Sequence, residues 1–175
     1  MVSRAREQLD RLLVSVPDFP EPGILFRDLA PVFADGDAFH AIVDDLASQF
    51  DGRFDAVAGV EARGFVLAAA VAYASGSGVL VVRKAGKLPG AVLSETYDLE
   101  YGSASLELEP DRLPRGSRVL VLDDVLATGG TLAASARLIE RAGYSVAGFG
   151  VVLELAELGG RARLADVPAY SIAAL

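Results

Sequence analysis

The stretch from Val119 to Thr131, VLVLDDVLATGGT, constrains the fold of this chain more than any other. It opens on an apolar run without alternation, which is typical of a strand covered on both faces, as in a parallel sheet. Two acids, Asp123 and Asp124, follow this run, and apolar residues return at helical spacing after Thr131. The stretch therefore predicts a buried strand, a turn and the start of a helix.

The turn has the composition of a phosphate-binding site. Ligands of parallel sheets bind outside the carboxyl ends of the strands, where we expect Asp123 and Asp124. Glycines let backbone N–H groups approach a ligand closely, and a helix N-terminus adds unpaired donors and a favourable dipole. The two carboxylates could bind neighbouring hydroxyls of a sugar whose own phosphate lies in the turn. The alternative is that the acids only begin a helix after an ordinary turn.

The stretch resembles the phosphoribosyl diphosphate (PRPP) motif of the type I phosphoribosyltransferases. It lacks the Gly-Lys-Ser/Thr of nucleoside triphosphate loops, and its adjacent glycines do not match a dinucleotide fingerprint. The resemblance implies that Asp123 and Asp124 bind the ribose 2′ and 3′ hydroxyls. It also implies that the following loop holds the 5′-phosphate of PRPP; this phosphate loop comprises Ala127, Thr128, Gly129, Gly130 and Thr131.

Composition narrows the class of protein. The chain has 175 residues, of which 52% are apolar, so we expect one domain, residues 1–175, with a full core. The absence of cysteine excludes a disulfide framework and is compatible with a cytoplasmic protein. The charged N-terminus is unlike a secretory signal, and no apolar run approaches the ~20 residues of a membrane span. A net charge of −8 disfavours nucleic acid as a partner.

Strands and helices alternate along the chain, which predicts an open, mostly parallel α/β sheet flanked by helices. The resemblance implies the type I phosphoribosyltransferase fold, with a projecting lid hairpin and an N-terminal hood. Further strands are predicted at 55–60, 78–82, 146–153 and 170–173. Helices are predicted at 3–16, with Ser3 as its cap and Pro17 as its end, at 37–50, with Asp37 as its cap, and from about 64 to 74.

Residues 17–31, which we call the hood, are predicted to form a proline-rich loop with apolar residues at its centre. Those residues either pack on the core or cover a flat apolar ligand. The string PGILFRD resembles the adenine-binding segment of the adenine-specific phosphoribosyltransferases. The resemblance implies that Phe26 stacks on the base and that main-chain groups of Leu25 and Arg27 read its edge.

A charged turn, Glu61-Ala62-Arg63-Gly64, follows the predicted strand at 55–60. The planar fork of Arg63 suits a polyanion, although an ion pair with Glu61 is the alternative. The string EARGF resembles the diphosphate-binding loop of the same family, which implies that Arg63 binds the leaving diphosphate.

Lys84 and Lys87 are the only lysines of the chain, and both follow Arg83 closely. A compact ammonium suits a phosphate as a point charge, although chance clustering is the alternative. The string RKAGKLPG resembles the family segment whose cations help to bind diphosphate. Some of these cations could reach across a dimer interface.

Residues 86–109, which we call the lid, are predicted to form a long hairpin that projects from the sheet. The string SETYDLEYG resembles the flexible catalytic loop of the family. The resemblance implies that Glu100 is catalytic and that Tyr101 lies beside it in the lid. The alternative is that Glu100 is one more solvated acid among 24.

Together these resemblances imply that adenine and PRPP react to give AMP and diphosphate, in purine salvage. They also imply Mg²⁺ as cofactor, bound mainly through PRPP and water without a direct protein ligand, and a homodimer. Glu100 could stabilise the cationic sugar or assist proton transfer. Two alternatives stay open: transfer to another base, such as hypoxanthine, guanine, xanthine or orotate, and a regulator that senses PRPP without turnover.

Overall fold

The computed structural model describes residues 2–98, 102–164 and 167–175. Its strands are β1 Val14–Pro17, β2 Leu25–Asp28, β3 Ala56–Val60, β4 Gly78–Lys84, β5 Leu93–Asp98, β6 Ser103–Leu108, β7 Arg118–Leu126, β8 Ser145–Glu154 and β9 Ala169–Ala174. Its α-helices are α1 Arg4–Leu12, α2 Ala30–Ala34, α3 Gly36–Gln49, α4 Arg63–Ser75 and α5 Gly130–Arg141. Two short 3₁₀ turns, Ala156–Leu158 and Gly160–Arg163, follow β8.

The central sheet has seven strands in the order β5-β6-β4-β3-β7-β8-β9. The strands from β4 to β9 in this order are parallel, and the hairpin of β5 and β6 joins β4 in antiparallel pairing. The prediction of an open, mostly parallel sheet is confirmed. The hairpin predicted from the alternating run after residue 102 is also present, and its inner strand β6 is part of the sheet.

The central strand β7 is covered on both faces, as its apolar run predicts. Leu120 and Leu122 pack in a core cluster with α1, α3 and α4, whereas Val119 and Val121 pack in a second cluster with α5. All four side chains are fully buried. Because side chains of a strand alternate between faces, an unbroken apolar run is what two helical layers require.

The N-terminal segment differs from its prediction. The first helix ends at Leu12 rather than near residue 16, and β1 pairs with β2 in an antiparallel two-stranded sheet. The β-branched Val14 and Val16 favour extended backbone, and the residue before Pro17 is disfavoured in a helix. The hood is therefore a loop only over residues 18–24; β2 follows, and the hood ends in the first residues of α2. Pro17 lies in β1 instead of ending a helix.

Two other helix starts can be compared with the sequence. Ser3 caps α1 as predicted, since its side chain accepts a hydrogen bond from the backbone N–H of Arg6. The cap of α3 is Asp35 rather than Asp37, because Asp35 accepts from the N–H of Ala38 at 3.0 Å. This bond lowers the pKa of the Asp35 carboxyl. Asp37 lies in the first turn, where an acid still favours the helix dipole.

Two glycines let α4 begin directly on the sheet. A Cβ atom on Gly59 would lie 2.7 Å from the carbonyl oxygen of Gly64, and one on Gly64 would lie 2.7 Å from that of Leu122. Neither distance is possible for a real side chain, so the helix and the strands touch through their main chains. This contact sets the first residue of α4, Arg63, beside the carboxyl end of β7. Among the described helices, none has the length and apolar character to cross a membrane.

Candidate active site

The paired acids lie inside β7 and not after it. The strand continues to Leu126, so Asp123 and Asp124 lie in its second half, near the carboxyl edge of the sheet. Asp124 is only 8% exposed, and Asp123 is partly buried. The sequence predicts both acids just after the strand. Because β7 extends beyond them, they are more buried than that position implies.

The two carboxyls have an uneven electrostatic environment. Burial raises the pKa of Asp123 well above its usual range, and the neighbouring Asp124 carboxyl raises it further. The backbone N–H of Asp124 donates to Oδ1 of Asp123 at 2.9 Å, which acts in the opposite direction. A sugar diol would supply hydrogen-bond donors to these oxygens, so a bound ligand can offset part of the burial cost.

Arg63 contacts the second acid. Its Nε lies 2.6 Å from Oδ2 of Asp124, and this oxygen is buried and accepts no well-directed hydrogen bond from the described residues. The contact is therefore an ion pair in which the N–H does not point at the oxygen. The alternative of an ion pair between Arg63 and Glu61 is wrong, because the partner of Glu61 is Arg83 at 3.3 Å.

The phosphate loop joins β7 to α5 as predicted. Gly129 has φ = +80° and precedes the first helical residue, Gly130. Residues 125–132 line a small cavity of about 60 Å³. The first N–H groups of a helix have no partner within it, so this turn can donate hydrogen bonds to an anion.

A second turn supports the phosphate loop from behind. A Cβ atom on Gly160 would overlap the carbonyl oxygen of Ala127, and one on Gly129 would overlap the carbonyl oxygen of Gly160. The two main chains are therefore in direct contact. The side chain of the next residue, Arg161, holds this turn by pairing with Glu154 of β8 and donating to the carbonyl oxygen of Ala169 at 2.6 Å.

Glu61 organises the cations at the end of β4 and in the turn after it. Its Oε2 accepts from Nε of Arg83 at 3.3 Å and from the backbone N–H of Lys84 at 3.0 Å. These contacts lower the pKa of Glu61, the bond from the backbone of Lys84 most of all. Nη1 of Arg83 also donates to the carbonyl oxygen of Lys87 at 3.2 Å, whereas the side chains of both lysines are exposed.

One cavity of about 480 Å³ collects most of the predicted residues. It is lined by Glu61, Ala62, Arg63, Lys84, Tyr97, Ala104, Leu106, Asp123, Asp124 and Thr131. The predicted ribose acids, one residue of the phosphate loop and two of the predicted diphosphate cations thus face the same space. Glu61 and Tyr97 line it as well, and the sequence assigned neither of them to a ligand. Tyr97 lies within the string SETYDLEYG, and this string was the sequence feature that could have identified it as a site residue.

Other predicted residues lie apart from this cavity. Leu25, Phe26 and Arg27 belong to β2 of the small sheet and are not among the residues that line it. Phe26 makes an edge contact with Phe19 at 5.1 Å between ring centroids, and Nη1 of Arg27 donates to Ser15 Oγ at 2.5 Å. The proposed catalytic Glu100 and its neighbour Tyr101 lie outside the described residues.

The donors around the cavity suit an oxygen-bound cation held largely by its substrate. Within residues 2–98, 102–164 and 167–175, no group of three or more histidine or acidic side chains could form a metal cage. The cavity nevertheless has carboxylate oxygens from Glu61, Asp123 and Asp124. Mg²⁺ keeps several waters and often takes only one or two carboxylates beside phosphate oxygens, so these residues fit that ion.

The fold and this cavity define a transferase of the phosphoribosyl group. The family described as phosphoribosyl transferase domain matches residues 33–168. The chain belongs to the phosphoribosyltransferase family.

Several similar proteins in the family are named adenine phosphoribosyltransferase. The chain is 70% identical over 159 residues to an adenine phosphoribosyltransferase of Renibacterium salmoninarum. This alignment covers 91% of this chain and 87% of the relative. A crystal structure of adenine phosphoribosyltransferase from Thermoanaerobacter pseudethanolicus superposes with a TM-score of 0.93 at 43% identity, over 97% of this chain and 99% of that one. The Saccharomyces cerevisiae enzyme was solved with adenine and an imino-altritol bisphosphate. It gives a TM-score of 0.90 at 37% identity, over 97% of this chain and 98% of the yeast chain.

Proposed function

We propose that the protein is an adenine phosphoribosyltransferase, which makes AMP and diphosphate from adenine and PRPP in purine salvage. The observation that carries this proposal is the single cavity in which Asp123, Asp124, Thr131, Arg63 and Lys84 meet. These residues supply acceptors for a diol, donors for a phosphate and cations for a diphosphate. The yeast relative was solved with adenine and a sugar bisphosphate, a ligand pair of the same chemical kind.

The ribose end of PRPP is held at the carboxyl edge of β7. We assign the 2′ and 3′ hydroxyls to the carboxylates of Asp123 and Asp124, which can each accept hydrogen bonds. We assign the 5′-phosphate to the phosphate loop, Ala127–Thr131, through its backbone N–H groups and threonine hydroxyls. Two such anchors on one sugar fix the orientation of its C1′ atom.

We assign the leaving group to four cations, of which Arg63 and Lys84 line the cavity. In the reaction the C1′–O bond breaks, positive charge develops on the ribose and the electron pair leaves with diphosphate. Arg63, Arg83, Lys84 and Lys87 stabilise the negative charge that diphosphate gathers. Mg²⁺, bound mainly through PRPP oxygens and water, would add further neutralisation of that charge.

The base is assigned to the hood. Phe26 offers its ring for stacking, and main-chain groups of Leu25 and Arg27 offer one acceptor and one donor to the purine edge. Adenine N9 attacks C1′ on the face opposite the diphosphate, and the N9 proton is lost. Glu100 of the lid stabilises the cationic sugar or takes part in that proton transfer, with Tyr101 beside it.

The lid and the hood complete the proposed enzyme as parts of a single domain, residues 1–175. Closure of the lid over the cavity would exclude water, which otherwise hydrolyses an activated sugar. We further propose that the enzyme acts as a homodimer, as the family resemblance implies, and that it is cytoplasmic, with which the absence of cysteine is compatible.

The decisive experiment is a panel of bases. Purified protein is incubated with PRPP, Mg²⁺ and adenine, hypoxanthine, guanine, xanthine or orotate in turn, and nucleotides are separated by chromatography. We expect AMP from adenine and no comparable product from the other bases. Another nucleotide without AMP would overturn the choice of adenine, and PRPP binding without turnover of any base would indicate a sensor.

A further inference from the structure

The outer strand of the hairpin, β5, is attached to α5 along its length. Near the end of α5, Nη1 of Arg141 donates to the carbonyl oxygen of Ser94 at 2.8 Å and to Oε2 of Glu95 at 3.0 Å. One turn earlier, Nε of Arg137 donates to Oε1 of Glu95 at 2.5 Å. Successive contacts on β5 thus meet earlier residues of α5, so the two elements run antiparallel to each other.

The last contact of this series reaches the phosphate loop. Thr131, in the first turn of α5, donates through Oγ1 to the hydroxyl of Tyr97 at 3.3 Å. Glu95 and Tyr97 are two residues apart on a strand, so their side chains share one face, here the face toward α5. Because Glu95 is held by two arginines and is only 20% exposed, it fixes where Tyr97 meets Thr131.

The contact between the hydroxyls of Thr131 and Tyr97 affects how Thr131 can bind a phosphate, because each hydroxyl has one hydrogen to donate. Thr131 has one hydroxyl hydrogen, and its Oγ1 lies 3.3 Å from the hydroxyl oxygen of Tyr97. Because a phosphate offers only acceptor oxygens, Thr131 donates that hydrogen to the phosphate when one is bound. The hydroxyl of Tyr97 can then donate its own hydrogen to Oγ1 of Thr131 and keep the contact.

We propose that Tyr97 is a positioning residue for the 5′-phosphate of PRPP, acting through Thr131, with Glu95 as its anchor on α5. In the complex the hydrogen bonds run from Tyr97 to Thr131 and from Thr131 to the phosphate. Chains of this kind strengthen each member, and the tyrosine holds the threonine rotamer that faces the ligand. The inference rests on the proposed assignment of the phosphate loop to PRPP.

The test is Tyr97→Phe, which removes the hydroxyl and keeps the ring. Ribose 5-phosphate is the probe, because it carries the 5′-phosphate without the diphosphate. We expect its dissociation constant and the KM for PRPP to rise about fivefold, the value of one hydrogen bond. The KM for adenine and the melting temperature should stay near those of the wild type, a split that a general structural defect would not give.

Tyr170→Phe is the matched control. Tyr170 also hydrogen-bonds through its hydroxyl, to Oδ2 of Asp45 at 2.9 Å, but it packs in the core cluster on the other face of the sheet. This variant should leave ribose 5-phosphate binding unchanged. A similar loss of affinity in both tyrosine variants would overturn the proposal.

A double-mutant cycle with Thr131→Val tests the route of the effect. Once Thr131 has no hydroxyl, removing that of Tyr97 should cost no further affinity, so the two changes are non-additive. A full additional loss in the double variant would mean that Tyr97 does not act through Thr131. If the wild-type protein makes AMP and the Tyr97→Phe variant binds ribose 5-phosphate normally, this inference alone is overturned. If the wild-type protein neither binds ribose 5-phosphate nor makes a nucleotide, the proposed function is overturned too.

Discussion

Arg63 and Asp124 touch in the free protein, with 2.6 Å between Nε and Oδ2. This contact joins a cation proposed for the diphosphate to an acid proposed for the ribose. The pair is imperfect, because Oδ2 is buried yet accepts no well-directed hydrogen bond from the part of the chain that the structure describes. A buried acceptor left in this state favours a ligand that supplies a better donor. The geometry therefore suggests that PRPP enters between these two side chains and takes a partner from each.

Removing Arg63 should affect both stability and binding. In Arg63→Gln the Asp124 carboxylate loses its counter-charge, and because the arginine side chain is 44% exposed we expect a loss of about 1 kcal/mol in the free energy of unfolding. PRPP should bind about tenfold more weakly, since a charge-assisted contact is lost. Urea denaturation and the KM for PRPP measure the two effects.

Two further variants separate these effects. Adding Asp124→Asn to Arg63→Gln should restore the unfolding free energy, because no unpaired charge is left, without restoring PRPP binding. Arg6→Gln, which removes a surface ion pair with Asp10, should change neither quantity appreciably. Normal PRPP affinity in Arg63→Gln would exclude Arg63 from the diphosphate site.

Asp123→Asn should stabilise the free protein at neutral pH. The pKa of Asp123 is raised in the folded state by burial and by Asp124, so its ionisation costs folding free energy. That cost is absent below the unfolded pKa of about 3.9, grows as the pH rises and is complete above the folded pKa. The amide oxygen of asparagine can still accept from the N–H of Asp124.

Melting temperatures across pH measure this effect. The asparagine variant should melt higher than the wild type at pH 8, and the two curves should converge toward pH 4. PRPP affinity should fall in the same variant, because one acceptor for the ribose diol becomes a weaker, neutral amide. Equal melting temperatures at every pH would show that the Asp123 carboxyl carries no such penalty.

Gly160→Ala should damage the phosphate loop from behind. The added Cβ overlaps the carbonyl oxygen of Ala127, so the two main chains must separate by about 1 Å. We expect the KM for PRPP to rise about tenfold, since phosphate N–H contacts depend steeply on geometry. Steady-state kinetics with PRPP varied at saturating adenine measure it.

The neighbouring glycine provides the control. Gly159 has φ = +63° and open space around its Cβ position, so Gly159→Ala strains the backbone without touching the loop. It should lower the melting temperature through a strain of about 1 kcal/mol and leave the KM for PRPP near that of the wild type. If both alanine variants raised this KM equally, overlap with Ala127 would not be the cause.

Glu100→Ala should lower kcat about 100-fold while PRPP binding stays nearly normal, because the proposed role is confined to the transition state. Rapid-quench measurement of AMP formation, together with PRPP binding at equilibrium, separates the two. Glu157→Ala, which removes an exposed acid from the turn after β8, is the comparison and should keep wild-type kcat. An unchanged kcat in Glu100→Ala would remove Glu100 from the mechanism.

The features predicted well from sequence are those that nearby residues determine. The apolar run of β7, the adjacent glycines before α5 and the charged turn before α4 each specify their own backbone locally, and all three are found in place. The shared sheet edge then brings their side chains together, because parallel strands present their carboxyl ends on one side. Most of the cavity could therefore be anticipated.

The features that were missed depend on contacts between distant segments. No local pattern says that Arg63 pairs with Asp124 rather than with Glu61, or that Tyr97 reaches Thr131. The first helix ends at Leu12, although Val16 continues its apolar spacing, because pairing with β2 decides the conformation of Val16. Propensity is a weak prior wherever such tertiary pairing competes with it.

The main-chain contact at Gly59 and Gly64 determines how this protein can tolerate change. A contact made without side chains has no rotamers to rearrange, so the spacing between the start of α4 and the acids of β7 is independent of how the surrounding apolar residues repack. Substitutions elsewhere in the interior will therefore lower thermal resistance long before they alter turnover. At these two glycines the opposite holds: even one added methyl group should lower turnover before it lowers thermal resistance.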